Sequence, residues 1–156
     1  MFKYCNQPLK DVTFYEFGAG WDLIIPLAFF SYGIERQVFV DIRNLLRCKV
    51  SNDSIKKFQQ KSLDWELPRR IDKFLPENTF LSSLEKYYHI RYLAPCDARN
   101  TGLEAGSIDV VTSTNTLEHI SPHDIQKILL ECHRLLRNDG LMSLFIDYKD
   151  HYSYFD

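Results

Sequence analysis

Two glycines one residue apart, Gly18 and Gly20, close the apolar run Val12-Thr13-Phe14-Tyr15-Glu16-Phe17, and a carboxylate, Asp41, follows 21 residues after the second glycine. Glycine reaches backbone angles that a side chain forbids, so such a turn can bring bare backbone against a ligand. A carboxylate at the end of a neighbouring strand can accept hydrogen bonds from both vicinal hydroxyls of a ribose, and about 20 residues of intervening helix and strand give that separation. A Gly-x-Gly by itself fits an ordinary turn equally well, so its company has to decide between them. That company includes Asp97, just past the alternating stretch His89-Ile90-Arg91-Tyr92-Leu93, and the polar segment Ser113 to His119, just past Ile108-Asp109-Val110-Val111-Thr112.

The elements that must position these groups follow from periodicity. Phe14, Tyr15 and Phe17 have the aromatic character of a buried strand, and residues 37–41 form a second. Between them Leu23, Ile24, Leu27, Ala28 and Phe30 predict a helix with Pro26 in its first turn and Gly33 as its stop. A short amphipathic helix is expected over Ile42–Val50, and another over Asn52–Leu63 with Asn52 or Asp53 as its cap. A third is expected at Thr79–Tyr88, so that 49–89 reads as a helical insertion within a single domain of 1–156. Strands three and four are His89–Leu93 and Ile108–Thr112. Ser121-Pro122 caps a helix with Asp124 at the capping-box position, and Ile125, Ile128, Leu129, Cys132, Leu135 and Leu136 make its apolar stripe. Asn138-Asp139-Gly140 is expected to end that helix before a fifth strand, Leu141–Ile146. Alternation of strand and helix through five strands, with right-handed crossovers, gives an α/β, doubly wound, mostly parallel Rossmann-like sheet with helices on both faces. Ligands bind at the carboxyl ends of such strands, where the glycine turn, Asp41, Asp97 and residues 113–119 all fall.

Composition narrows the class. The 156 residues suffice for one domain with a real core, and 45% hydrophobic with 26% charged residues is ordinary for a soluble globular chain. A net charge of −2 points to no polyanionic partner, and the basic residues Lys56, Lys57, Lys61, Arg69, Arg70 and Lys73 are interleaved with Asp64, Glu66 and Asp72, as on a solvated face. Leu23–Phe30 is too short to span a bilayer, and no signal peptide precedes it. Cys5, Cys48, Cys96 and Cys132 are scattered without zinc-site spacing and read as reduced thiols of a cytoplasmic protein. His119 and His123 are separated by a helix start at Ser121-Pro122, so no metal site is expected.

On these motifs the chain resembles the class I S-adenosylmethionine-dependent methyltransferases, particularly the small-molecule branch. The matching residues are Glu16-Phe17-Gly18-Ala19-Gly20, Val40-Asp41-Ile42, Cys96-Asp97-Ala98, Asn115-Thr116-Leu117-Glu118-His119-Ile120 and Leu135-Leu136-Arg137-Asn138-Asp139-Gly140-Leu141, in the family's order and over nearly the whole chain. Asp22 departs from the pattern, since many members carry a third glycine there. The resemblance implies S-adenosylmethionine as cofactor. Glu16, Gly18, Ala19 and Gly20 would contact its methionyl group, Asp41 its ribose, Ile42 its adenine face, and Asp97 with the Ala98 amide its adenine edge, with Asn115 beside them. The sulfonium is already an activated donor, so in-line positioning of an acceptor supplies most of the acceleration, and a base matters only where the acceptor holds its proton. His119 and, behind it, His151 are the candidates for that base or for substrate contact. Glu118-His119 reads alternatively as a structural pair fixing the loop.

A nicotinamide-dependent oxidoreductase shares the strand, the Gly-x-Gly and the distant acid, but its fingerprint wants glycine where Leu23 stands. A methyltransferase fold kept only as a binding module is the non-enzymatic alternative. No nucleic-acid acceptor is expected: the amino-methylating DNA enzymes resemble Asp/Asn-Pro-Pro-aromatic after strand four, unlike Asn115-Thr116-Leu117-Glu118. The acceptor is expected to be a small molecule. Related chains continue past strand five into a helix and an antiparallel hairpin, which ten residues beyond Ile146 do not provide. Either a piece of a longer protein or a naturally shortened chain is therefore expected, in both cases with an unpaired strand-five edge, poor methyl transfer and a tendency to self-associate.

Overall fold

The computed structural model describes residues 8–61 and 67–148. The apolar runs form β1 (Thr13–Phe17), β2 (Arg36–Val40), β3 (Ile90–Leu93), β4 (Ile108–Thr114) and β5 (Leu136–Phe145). Four helices connect or precede them: α1 (Ile24–Ser31), α2 (Cys48–Lys61), α3 (Phe80–Tyr88) and α4 (Pro122–Leu135). The strands pair in the order β3-β2-β1-β4-β5, and every pairing is parallel. This is the doubly wound α/β sheet expected from the alternation. Strand order reverses between β1 and β4, where such sheets open a crevice.

Successive strand residues face opposite layers. Phe39 on β2 joins Leu27 and Phe30 of α1, Ile55 and Phe58 of α2, and Leu84 and Tyr88 of α3, while its neighbour Val40 joins Ile128, Cys132 and Leu135 of α4. On β1, Tyr15 and Phe17 likewise face the α4 layer, whereas Phe14 packs with Val12, Ile34 and Val110. Gly33 ends α1 as expected, with φ +100° and its N–H donating to Phe30 O at 2.9 Å.

Three expectations need correction. Residues 42–47 are irregular, and one helix, α2, replaces the two expected over Ile42–Val50 and Asn52–Leu63. Asn52 is therefore interior to α2 and caps nothing. Its side chain instead holds the backbone of Leu75, with Nδ2 donating to Leu75 O at 2.9 Å and Oδ1 accepting from Leu75 N at 2.8 Å. This pins the extended stretch whose Ile71 and Leu75 complete the core beneath α2 and α3. Asn52→Ala is expected to destabilise the fold by about 1–3 kcal/mol, because Leu75 N–H loses its acceptor and Leu75 O keeps only the weak Cys48 thiol donor at 3.2 Å. Urea unfolding checks this, and an unchanged midpoint would refute it.

The second correction concerns Asn138-Asp139-Gly140, which does not terminate the helix. α4 ends at Leu135 and β5 begins at Leu136, and the three residues form a bulge, since Ile108 pairs with Leu136 but Val110 with Leu141. Third, strand and helix do not alternate throughout, because the connection 94–107 between β3 and β4 contains no helix. Side chains of α4 secure it instead. Glu131 accepts from Thr101 N at 2.9 Å and from Thr101 Oγ1 at 2.6 Å, and Arg134 donates both to Glu131 and to Leu103 O. The Arg134 guanidinium and the Thr101 donors hold the Glu131 carboxyl down at about 2.

Candidate functional site

The carboxyl ends of β1, β2 and β4 surround a cleft of about 810 Å³, within the range of small-molecule and cofactor sites. Glu16, Gly18, Ala19, Gly20, Asp41, Ile42, Asp97, Ala98, Asn115 and His119 all line it. Residues spread over a hundred positions of sequence thus converge on one cavity. His151 lies outside the described residues, as does Cys5.

The glycine turn is fastened to β2 and to the carboxylate that follows it. Gly18 N and Ala19 N donate to Val40 O at 3.0 and 3.3 Å, and Gly20 N donates to Asp41 Oδ2 at 3.1 Å. The other oxygen of Asp41 accepts from Arg43 N at 3.0 Å, so the carboxylate, 7% exposed, organises both loops it touches. The two glycines are required for different reasons. At Gly18, φ +77°, a Cβ would stand 2.2 Å from Thr116 Oγ1, so the residue is glycine because the segment after β4 packs on it. At Gly20, φ +70°, an added Cβ would meet nothing within 4 Å, so its backbone borders open space. Asp22, the departure from the family pattern, acts locally, where its Oδ1 accepts from Ile24 N at 2.9 Å in an Asx turn just ahead of α1. Leu23, which a dinucleotide fingerprint would replace by glycine, is core packing at 2% exposure.

Glu16 points into the layer between β1 and the cleft and is 2% exposed. Thr112 Oγ1 on the adjacent β4 donates to its Oε2 at 2.9 Å. Burial pushes its carboxyl up from 4.5 to about 7, against the smaller downward pull of that hydroxyl. Between pH 4.5 and pH 7 the unfolded chain releases this proton while the folded chain keeps it, so stability falls by about 3 kcal/mol across that window and levels off above it. Glu16→Gln should therefore flatten this part of the profile and be relatively more stable than the parent at about pH 8 than at about pH 5. Denaturant melts at both pH values decide, and parallel behaviour of the two proteins would contradict it.

The far side of the cleft comes from the segment after β4. Asn115 takes a left-handed conformation, φ 50°, which asparagine tolerates better than most residues, and its N–H donates to Phe145 O at 3.0 Å. His119 ends the single helical turn Leu117–His119 and is exposed. His123 belongs to α4, a separate element, and among the described residues no group of three His, Cys, Asp or Glu side chains could hold a metal ion. Glu118 buries both carboxylate oxygens, and neither has a hydrogen-bond partner, so no hydrogen bond joins it to His119. Asp97 is held by Arg99, whose guanidinium keeps its carboxyl below the usual range.

Thr112, Thr116 and Arg99 are among the lining or supporting residues that sequence reasoning did not single out. A threonine directly after the apolar pair Val110-Val111 was the available signal for the first. The other two depend on which loops meet. Among the described residues no helix is long and apolar enough to cross a membrane.

Residues 75–144 match the family model of the methyltransferase domain. Among solved structures, the chain is similar to the PH0226 protein from Pyrococcus horikoshii OT3, with a TM-score of 0.55 at 18% identity over 99% of this chain and 52% of that one. It is also similar to phosphoethanolamine N-methyltransferase 1 of Haemonchus contortus, solved with phosphoethanolamine and S-adenosylhomocysteine, with a TM-score of 0.51 at 18% identity. That match covers 88% of this chain and 23% of the other. The chain thus spans little more than half the length of the first protein and under a quarter of the second. No curated protein matches it in sequence. The family model and the fold together bear out the resemblance to the class I S-adenosylmethionine-dependent methyltransferases.

Proposed function

We propose that the chain binds S-adenosylmethionine in this cleft and transfers its methyl group to a small-molecule acceptor. The observation that carries this is the joint placement of the Gly18–Gly20 turn, Asp41 and Asp97 around one cavity, together with the methyltransferase-domain match over 75–144. The residues fit such a cofactor. Asp41 presents a buried carboxylate for the ribose hydroxyls, Ile42 is 60% exposed and offers an apolar face to a purine, and Gly20 leaves its backbone bare. The Ala98 amide would meet the purine edge beside Asp97, and Glu16 and Asn115, which line the same cleft, would flank the methionyl end.

The cofactor supplies a methyl group on a positively charged sulfur, which needs no further activation. The chain's part is to fix that group, exclude water and hold the acceptor in line. His119, on the exposed lip of the cleft, is positioned to touch an acceptor and to take its proton where one must leave. His151 is the alternative group for this role. The proposal extends to a cytoplasmic setting and to self-association through β5, which stands at the edge of the sheet with Phe145 exposed.

Calorimetric titration with S-adenosylmethionine, S-adenosylhomocysteine and NAD tests the reading. Saturable binding of the first two and none of the third is expected, and binding of NAD alone would replace it with the oxidoreductase. Light scattering of the same sample is expected to show species larger than a monomer.

A further inference from the structure

Arg99 stands on the connection between β3 and β4, two residues past Asp97, and its side chain lines the cleft. Its Nε lies 3.0 Å from each Asp97 oxygen, and Nη2 donates to Oδ2 at 2.7 Å. The backbone N–H of Arg99 adds a fourth contact, to Oδ1 at 2.9 Å. Nη1 reaches the other way and donates to Asp124 Oδ1 at 2.6 Å, in the first turn of α4. Asp124 Oδ2 in turn accepts from Ser121 Oγ at 2.9 Å. One guanidinium therefore ties the loop after β3 to the helix after β4 along one wall of the cleft. A planar fork suits this bridging, since it can satisfy two oxygens of one carboxylate and still keep a nitrogen for another.

A carboxylate offers about four lone-pair sites. Three N–H groups of Arg99 make four contacts with those of Asp97, the Nε–H being shared between both oxygens, so any further donor must compete with the guanidinium for a carboxylate whose side chain is 40% exposed. The wall is also electrically balanced in part, because a single cation faces two acids that would otherwise repel each other.

We infer that Arg99 is a specificity-determining residue of the cleft: it occupies the Asp97 carboxylate, so the exocyclic amino group of an adenine bound there goes unread by that acid. The inference rests on the reading of the cleft as an adenosine site. Recognition of the purine then falls to the Ala98 amide and to the apolar face of Ile42, neither of which senses the amino group as a hydrogen-bond donor.

The test compares S-adenosylhomocysteine with its analogue whose purine lacks the 6-amino group, titrated calorimetrically into the full chain and into Arg99→Met. The parent protein is expected to bind the two within about threefold of each other. In Arg99→Met the freed carboxylate should accept the amino group, and the preference for S-adenosylhomocysteine should rise to about tenfold or more. A residue that merely braces the loop would weaken both compounds together and leave their ratio unmoved. Preference of tenfold or more in the parent would overturn the inference, and so would equal ratios in the two proteins. Should Arg99→Met fail to fold, Arg99→Lys serves, since an ammonium keeps the charge but cannot grip both Asp97 oxygens as a fork, and the ratio should shift the same way. Absence of binding by either compound to the parent would remove the adenosine reading itself, a result distinct from a measured ratio.

Discussion

Asp41→Ala is expected to weaken S-adenosylhomocysteine binding by about 2–4 kcal/mol, or roughly 30- to 1000-fold. Two costs combine. The proposed charge-assisted bonds to the ribose hydroxyls disappear, each stronger than a neutral hydrogen bond. The N–H groups of Gly20 and Arg43, which donate to Asp41 at 3.1 and 3.0 Å, also lose their shared acceptor, so the glycine turn and the loop after β2 lose their common anchor. Asp41→Asn keeps one acceptor oxygen and should fall between the parent and the alanine variant. Calorimetric titration of all three proteins checks this. A dissociation constant for the alanine variant within about threefold of the parent would take Asp41 out of the binding site.

Gly18→Ala is expected to destabilise the fold by about 2–5 kcal/mol, and Gly18→Val to abolish ligand binding. The backbone there is left-handed, φ +77°, which disfavours any side chain. More damaging is the space a Cβ would need, since Thr116 places Oγ1, Cγ2 and Cβ at 2.2, 2.4 and 2.8 Å from it. The sequence alone suggested that a ligand demanded this glycine; the structure shows that a threonine of the same chain does. The two causes separate in a double variant. Thr116→Gly removes all three clashing atoms, so it should return much of the stability lost in Gly18→Ala and leave only the cost of the backbone angle. Thermal melts of the two single variants and the double variant measure this. A double variant no more stable than Gly18→Ala would show that Thr116 is not the obstacle.

Much of the architecture was legible before any coordinates. Strand residues such as Phe14, Tyr15 and Phe17 declare themselves by composition, and helix signals such as Gly33 after α1 and Ser121-Pro122 before α4 act over one turn, so local sequence suffices to place them. The parallel, doubly wound sheet followed from alternation and handedness, rules that need no knowledge of side-chain contacts. The ten described candidate residues share a cleft because parallel strands all deliver their carboxyl ends to the same edge of the sheet.

What the chain read in one dimension could not determine are the contacts between loops. Asn52 looked like a helix cap because caps and interior asparagines share a residue type, and only the approach of Leu75 decides which it is. The bulge at Asn138-Asp139-Gly140 arises because β5 must stay paired with β4 on both sides of those residues, a demand of the sheet and not of the segment. Glu16 is an ordinary carboxylate in sequence, and its raised pKa exists only because the folded layers strip water from it. Thr116 against Gly18 and Arg99 against Asp124 join residues brought together by the sheet order β3-β2-β1-β4-β5. Sequence determined which groups reach the cleft, since that depends on short-range signals and strand direction. Tertiary structure decided how each group is held and charged there, since hydrogen bonding and desolvation depend on neighbours far along the chain.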